Sequence, residues 1–124
     1  MLFRSANPSS LETSLAVLST VKGERWMVLG NMAELGSETT KEHLSAGLLA
    51  RKAGVTRLFL VGNLAAIAAQ TFGPEAEAFA SADELARRLE NEVVPGVTLL
   101  VKGSRINRLE RVVDALELGR RAEG

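Results

Sequence analysis

Three short apolar runs, each ended by a glycine or by a lysine and a glycine, constrain the fold of this chain more than any other feature. The runs occupy residues 26–29, 58–61 and 97–101, and they end at Gly30, Gly62 and Lys102-Gly103. Continuous apolar runs of this length are typical of strands buried on both faces. Segments with helical apolar spacing alternate with them, which indicates parallel strands joined by right-handed crossovers. The sequence therefore predicts an α/β fold in three layers, a mostly parallel sheet with helices on both faces.

Helix starts are indicated where a Ser or Thr is followed three residues later by Glu, because the two side chains can then cap backbone N–H groups. This pattern predicts helices over about 9–21, from Thr39 to Gly54, and from Ser81 to about 92, while Asn63, taken as structural, predicts a helix to about 71. A weak strand is predicted around 78–80, and an apolar stripe predicts a last helix over about 106–116. No linker or repeat divides the chain, so a single domain over residues 1–124 is predicted.

The composition excludes several functions before any residue is singled out. The 124 residues include no Cys and one His, which excludes a disulfide framework, a thiolate zinc site and a paired-histidine metal site. Neither Gly-Lys-Ser/Thr nor Gly-x-Ser-x-Gly occurs, so this chain has no phosphate-binding P-loop or hydrolase elbow of its own. Fifteen basic and fifteen acidic side chains favour neither a nucleic-acid nor a membrane partner. No spanning segment or secretory signal is found, so we expect a cytoplasmic protein.

The clearest candidate site follows the last apolar run, where Lys102, Gly103, Ser104 and Arg105 lead into the predicted last helix. Ligands of open parallel sheets gather beyond the carboxyl ends of the strands. Gly103 would let backbone N–H groups approach an anion at the helix start, and the two cationic side chains add charge. A carboxylate or a phosphate is the expected ligand. The alternative is a tight turn with a Ser104 cap and two solvated cations, and the pattern alone does not separate the two.

A second candidate segment, residues 30–36, joins a predicted strand to a predicted helix and is longer than the ~2–6 residues usual for such connections. It carries Asn31 and Glu34 to the predicted sheet edge, and His43 follows in the next helix, where it could face the same edge. The alternatives, which the pattern alone favours, are an ordinary surface loop and a partly buried histidine that makes one hydrogen bond. Asn7 either contacts a ligand or caps the first helix.

At these segments the sequence resembles the C-terminal domain of the Mur ligases. The stretches that carry the resemblance are Ala6-Asn7-Pro8-Ser9-Ser10, Val28-Leu29-Gly30-Asn31-Met32-Ala33-Glu34-Leu35-Gly36, His43 with Gly47, and Leu100-Val101-Lys102-Gly103-Ser104-Arg105 with Glu110. Each stretch is weak alone, but the four occur in the order and spacing of the family and span nearly the whole chain. The resemblance implies a Rossmann-like domain of a larger ligase.

The activity that this resemblance implies is ATP-dependent amide-bond formation in peptidoglycan synthesis, in the branch that adds D-alanyl-D-alanine to a UDP-N-acetylmuramoyl tripeptide. In that family a central P-loop domain holds ATP and Mg, the tripeptide carboxylate becomes an acyl phosphate, and the dipeptide amine attacks it. The C-terminal domain closes over the site, so this chain would work with the N-terminal and central domains and be inactive alone, without catalytic or metal-binding residues. The resemblance assigns Lys102, Gly103, Ser104 and Arg105 to a dipeptide carboxylate or phosphate, Asn7 to the nucleotide, and Asn31, Glu34 and His43 to the rim.

Two positions depart from the family. Its first motif usually reads Asp-Asp-x-Tyr-Asn where this chain has Met-Leu-Phe-Arg-Ser at residues 1–5, and it usually has Asp in place of Asn31. We therefore expect an excised domain whose first strand is cut or altered at its boundary. The alternatives are a stand-alone α/β binding or interaction module without ligase activity, and a relative of the family that acts on another peptide.

Overall fold

Strands and helices alternate in the computed structural model, which describes residues 2–5, 11–31 and 38–102. The elements are the strands β1 (Leu2–Ser5), β2 (Glu24–Gly30), β3 (Arg57–Val61), β4 (Ala76–Phe79) and β5 (Val97–Lys102), the helices α1 (Leu11–Leu18), α2 (Thr39–Lys52), α3 (Ala69–Phe72) and α4 (Ala82–Glu92), and a 3₁₀ helix over Ala65–Ala68. The strands predicted from the three apolar runs are confirmed as β2, β3 and β5. The weak strand predicted around 78–80 is found slightly earlier, as β4.

The five strands form one sheet in the order β1-β5-β2-β3-β4, and every neighbouring pair is parallel. Parallel neighbours need crossover connections, which the helices between them supply. The predicted fold class, an α/β fold with helices on both faces of a mostly parallel sheet, is confirmed. Because β5 lies between β1 and β2, the end of the last described strand meets the ends of the two strands that come first in the chain.

Two apolar clusters, one on each face of the sheet, hold the helices against it. Alternate residues of a strand point to opposite faces, and β3 shows the consequence. Leu58 and Leu60 join the cluster with α1, α2 and the 3₁₀ helix, whereas Phe59 and Val61 join the cluster with α4. All four side chains are at most 3% exposed. A strand covered in this way must be apolar at every position, which is why the sequence pattern located it.

A cluster of four charged side chains ties α4 to the amino ends of β3 and β4. Arg57 Nη2 lies 3.3 Å from both Glu77 Oε1 and Glu92 Oε1, and Arg88 contacts the same two carboxylates at 3.3 and 2.8 Å. The Arg57 guanidinium also lies over the Trp26 ring, 4.7 Å from its centroid. Each partly exposed pair contributes little alone, but the shared carboxylates and the stacked cation together fix the orientation of α4.

The helix starts predicted at Ser81 and Thr39 are both found, but only the cap predicted at Ser81 is confirmed. Ser81 has an extended backbone, and its hydroxyl accepts a hydrogen bond from the Glu84 N–H at 3.2 Å. Thr39 does not cap α2 but is its first residue, since Glu38 before it already has a helical backbone and caps nothing with its side chain. A capping residue stands just before the helix and has an extended backbone. Thr39 lies inside α2, so it does not have that role. Gly54, after this helix, has the positive φ expected of it, 86°.

The helix predicted from Asn63 to about residue 71 is also wrong in form. The chain instead makes the 3₁₀ helix Ala65–Ala68 followed by the single turn of α3, and no side chain of the preceding residue caps it. The oxygen that accepts from the Ala65 N–H belongs to Asn31, which follows a different strand. A pattern of neighbouring residues cannot indicate a cap that comes from 34 residues away in the chain.

The first strand, β1, is not indicated by the sequence pattern. Residues 2–5 pair in parallel with residues 99–102 of β5. A four-residue strand is present there, and the expectation that it is cut or altered at its boundary stays a prediction. The last predicted helix, over 106–116, and the predicted Ser9 cap lie outside the described residues. Within the described ranges, no helix is long and apolar enough to cross a membrane.

Candidate functional site

The carboxyl ends of four adjacent strands lie side by side at one edge of the sheet, here called the rim. The register pairs Lys102 of β5 with Ser5 of β1 on one side and with Leu29 of β2 on the other, and it pairs Gly30 with Val61 of β3. In parallel sheets, ligands bind in the crevice outside such ends. The structure therefore places Asn31, directly after β2, and Lys102, at the end of β5, at the same edge of the sheet.

Lys102 is buried at the rim, with 2% of its surface exposed. It comes two residues after Leu100, so its side chain points to the face of the sheet that α1 and α2 cover. Burial lowers the pKa of Lys102 below its ordinary value of 10.5, because the ammonium form loses hydration. The alternative in which this lysine is a solvated cation is therefore wrong. A buried amine at strand ends is suited to hold an anionic group, whose charge it meets with little screening by water.

Asn31, the residue after β2, is held at both ends of its carboxamide. Its Oδ1 accepts a hydrogen bond from the Ala65 N–H at 2.7 Å, and its Nδ2 donates to Asn63 Oδ1 at 3.3 Å. Ala65 is fully buried and begins the 3₁₀ helix, so its N–H needs an acceptor from outside that helix. The Asn31 side chain thus joins the end of β2 to the chain that follows β3.

Gly62 makes this connection possible. Its φ is 107°, in the region that favours glycine, and the Asn31 carboxamide lies against it. A Cβ at this position would lie 2.7 Å from Asn31 Cγ and 2.8 Å from Asn31 Nδ2, which is closer than real Cβ atoms approach. Gly62 and Asn63, interpreted from the sequence as structural, therefore have a specific structural role, which is to accommodate and bind the Asn31 side chain.

His43 is fully buried within α2 rather than exposed at the rim. Its Nδ1 lies 2.7 Å from the Thr39 carbonyl oxygen, one turn earlier in the helix. A carbonyl oxygen only accepts, so Nδ1 carries the proton and donates it there. This geometry agrees with the alternative interpretation of a buried, hydrogen-bonded histidine. Contact with a ligand, as the resemblance implies, stays a prediction.

Gly47 lets α2 approach the 3₁₀ helix and α3 closely. A Cβ at this position would overlap both the Ala68 carbonyl oxygen and Thr71 Oγ1. Across the same contact, Thr71 Oγ1 donates to the Leu44 carbonyl oxygen at 2.6 Å. The contact fixes the 3₁₀ helix, and with it the part of the rim that follows β3.

Five of the predicted site residues lie outside the described residues, namely Gly103, Ser104 and Arg105 after β5, Glu34 between β2 and α2, and Asn7. Their roles stay predictions. In the described ranges, no three His, Asp or Glu side chains lie together where they could hold a metal ion. What these ranges do supply at the rim is a buried amine, which can bind an anionic group, and a pair of amides bonded to each other and to the Ala65 N–H.

The pairing of Asn31 with Asn63 was not predicted, although the sequence contains a signal for it. The dipeptide Gly-Asn stands at the carboxyl ends of both strands, as Gly30-Asn31 at the end of β2 and as Gly62-Asn63 directly after β3. Because these strands are neighbours in register, the two dipeptides lie side by side at the rim. The same glycine-amide pair at the carboxyl ends of two adjacent parallel strands therefore indicates a contact between the amides.

Comparison of the sequence with known proteins matches it to one family. The family described as "Mur ligase, glutamate ligase domain" matches residues 4–105. The UDP-N-acetylmuramoyl-tripeptide--D-alanyl-D-alanine ligase of Escherichia coli (strain K12) is 38% identical over 114 residues, covering 90% of this chain and 25% of the relative. The ligase of the same name from Mycobacterium tuberculosis (strain H37Rv) is 35% identical over 136 residues, covering 90% of this chain and 27% of the relative. The chain thus spans about a quarter of the length of these curated relatives.

Solved structures give the same answer for the fold. A crystal structure of MurF from Acinetobacter baumannii superposes with a TM-score of 0.77 at 27% identity, covering 92% of this chain and 26% of that one. The MurF ligase of Thermotoga maritima, solved in complex with ADP, superposes with a TM-score of 0.79, covering 98% of this chain and 28% of that one. At 22% identity the second likeness concerns the fold alone. The family match extends over most of the sequence, and the chain belongs to the Mur ligase family through its glutamate ligase domain.

Proposed function

We propose that this chain is the C-terminal domain of an ATP-dependent ligase that joins D-alanyl-D-alanine to the UDP-N-acetylmuramoyl tripeptide in peptidoglycan synthesis. The observation that carries the proposal is the 38% identity, over 90% of the chain, to the Escherichia coli ligase of that name. A parallel sheet with a buried amine at its carboxyl edge supports it, because such an edge suits a substrate that carries a carboxylate. The reaction would take place in the cytoplasm, where ATP and the nucleotide-linked substrate are made.

The domain contributes positioning rather than bond-making groups in this proposal. An N-terminal and a central domain complete the enzyme, and the central domain holds ATP together with Mg, which supplies charge neutralisation to the phosphates. This chain closes over that site, orients the dipeptide amine toward the acyl phosphate of the tripeptide, and excludes water that would hydrolyse it. A domain that acts in this way has no turnover when it is alone.

Lys102 is proposed to meet the dipeptide carboxylate or a phosphate oxygen at the rim, together with Gly103, Ser104 and Arg105. Its burial supports this role, since a charge-charge contact away from water is stronger than one at the surface. An anion bound beside the amine would also favour the protonated form and raise the pKa that burial lowers. Ligand binding should therefore be accompanied by proton uptake when the pH lies between the pKa of Lys102 in the free protein and its higher pKa in the complex.

A chimeric enzyme tests the function. Residues 1–124 replace the matching quarter of the Escherichia coli ligase, and phosphate release is measured with ATP, Mg, the tripeptide substrate and D-alanyl-D-alanine. We expect turnover that depends on the dipeptide, and none from the isolated chain. A folded chimera that binds ATP but ligates nothing would contradict the proposal, and it would favour a binding module without ligase activity. Turnover with a different dipeptide alone would assign the chain to another peptide substrate.

The role of Lys102 is tested in the same chimera by Lys102→Met, which keeps a side chain of similar length. We expect KM for the dipeptide to rise or kcat to fall by tenfold or more, on the order of the effect of removing one preorganised charged contact. Lys41→Met is the matched control, because the Lys41 side chain is 80% exposed on α2. Unchanged kinetics in a folded Lys102→Met enzyme would remove the residue from the site.

A further inference from the structure

We infer that Asn31 is a positioning residue, which holds the exit of β2 at the rim through its carboxamide rather than by touching a ligand. Both ends of the carboxamide are engaged by the protein, Oδ1 by the Ala65 N–H and Nδ2 by Asn63 Oδ1. The main chain of Asn31 leads immediately into residues 32–37, which include the predicted site residue Glu34. Fixing Asn31 therefore fixes the point from which that segment leaves the sheet.

The two hydrogen bonds differ in what they demand of residue 31. The bond to Ala65 is short, at 2.7 Å, and it serves a buried N–H at the start of a helix, which only an acceptor can satisfy. The bond to Asn63 is longer, at 3.3 Å, and it lies near the surface. An acceptor toward Ala65 is therefore the essential feature, and the partner at position 63 can adapt.

A carboxylate at position 31 meets this demand, provided that residue 63 remains an amide. In Asn31→Asp the acceptor for Ala65 is kept, and the exposed Asn63 amide can turn so that its NH₂ group donates to the new carboxylate. In the double variant Asn31→Asp/Asn63→Asp, two carboxylates face each other at hydrogen-bond distance and repel. Their shared site raises the pKa of one of them, so acid restores the contact by protonating it.

Amide hydrogen exchange of Ala65 in the 124-residue chain reads the contact directly and does not depend on the proposed function. We expect exchange about five- to tenfold faster in Asn31→Ala, which is the effect of losing one hydrogen bond, and near wild-type exchange in Asn31→Asp. Asn63→Ala is the matched control and should change the exchange rate of the Ala65 amide little. In the double Asp variant the Ala65 amide should exchange faster than in Asn31→Asp at neutral pH. Below about pH 5 its exchange should be as slow as in Asn31→Asp at the same pH. Equal exchange in Asn31→Ala and wild type would overturn the inference.

The consequence for the reaction rests on the proposed function and is measured in the chimeric ligase. Asn31→Ala should lower kcat/KM for D-alanyl-D-alanine by about fivefold or more, and Asn31→Asp should restore it, because the acceptor returns without the original amide. If Asn31→Asp keeps the slow Ala65 exchange yet loses as much activity as Asn31→Ala, the side chain touches the substrate and the positioning role is wrong. An inactive wild-type chimera would instead defeat the proposed function, while the exchange data would still decide the contact.

Discussion

The glycine in the middle of α2 gives the strongest test of the packing that supports the rim. Replacing a helix-interior glycine by alanine ordinarily stabilises a helix by about 1 kcal/mol, since alanine restricts the unfolded chain and favours helical backbone. At Gly47 the new methyl group would overlap the Ala68 carbonyl oxygen and Thr71 Oγ1, and it would lie 3.0 Å from the Ala68 carbonyl carbon. Backbone atoms cannot rotate away as a flexible side chain can, so α2 must separate from the 3₁₀ helix and α3.

The magnitude follows from three contributions. Forcing a methyl group into a packed contact costs about 1–3 kcal/mol. Separation of the helices also breaks the hydrogen bond of 2.6 Å from Thr71 Oγ1 to the Leu44 carbonyl oxygen, a loss of about 1 kcal/mol. The gain in helix propensity of about 1 kcal/mol offsets the second contribution. We therefore expect Gly47→Ala to lower the free energy of unfolding by about 1–3 kcal/mol, the opposite sign to an unhindered site.

Urea unfolding followed by tryptophan fluorescence measures this difference. Trp26 is the sole tryptophan of the chain and is 4% exposed, so its emission reports the loss of the folded core. Ser45→Ala, at an exposed position of the same helix, is the control and should stabilise by a few tenths of a kcal/mol. In a Thr71→Ala background the effect of Gly47→Ala should shrink but stay destabilising, because the Ala68 carbonyl remains. A stabilising Gly47→Ala would refute the close helix contact.

Three further substitutions test other contacts by the same unfolding assay. Ser81→Ala removes the cap of α4 and should lower the free energy of unfolding by about 1 kcal/mol. Arg57→Met keeps the stacked hydrocarbon but loses both carboxylate partners, so it should lose about 1 kcal/mol at low salt and less at 1 M salt, whereas exposed Arg87→Met should change little. Burial lowers the pKa of Lys102 in the folded chain. At a pH between that lowered pKa and the ordinary value of 10.5, the unfolded chain therefore binds more protons than the folded chain. The free energy of unfolding of the wild type should accordingly rise relative to that of Lys102→Met as the pH approaches 10.5. The control Lys41→Met, at an exposed position, should show the same pH dependence as the wild type.

The fold was largely predictable because its strongest signals are local. Strands β2, β3 and β5 are covered on both faces, and an unbroken apolar run is sufficient to identify such a strand. The edge strands gave weaker signals. β4 has partly exposed positions, and β1 pairs with a single neighbour through its backbone, so neither needs a continuous apolar run.

The helix starts show where local reasoning stops. Ser81 is capped by a contact with the residue three positions later, and its pattern predicted the cap correctly. At Thr39 the same pattern located the start of α2 but not its cap, because Thr39 lies inside the helix and the residue before it is already helical. The cap predicted at Asn63 from that residue alone was wrong for a different reason, since the acceptor for the 3₁₀ helix is supplied by Asn31, whose position depends on the pairing of β2 with β3.

The candidate site was also predictable only in part. That Lys102 lies beside the end of β2 follows from the strand order, which the alternation of elements implies only in outline. That it is buried could not be inferred, because the same residues fit a solvated turn equally well. Asn31 shows a second limit, because the sequence placed it at the strand end while the protein partners of its carboxamide, the Ala65 N–H and Asn63 Oδ1, were found only in the structure. A polar side chain at the carboxyl edge of a sheet therefore supports a ligand contact only after its own hydrogen-bond partners have been found.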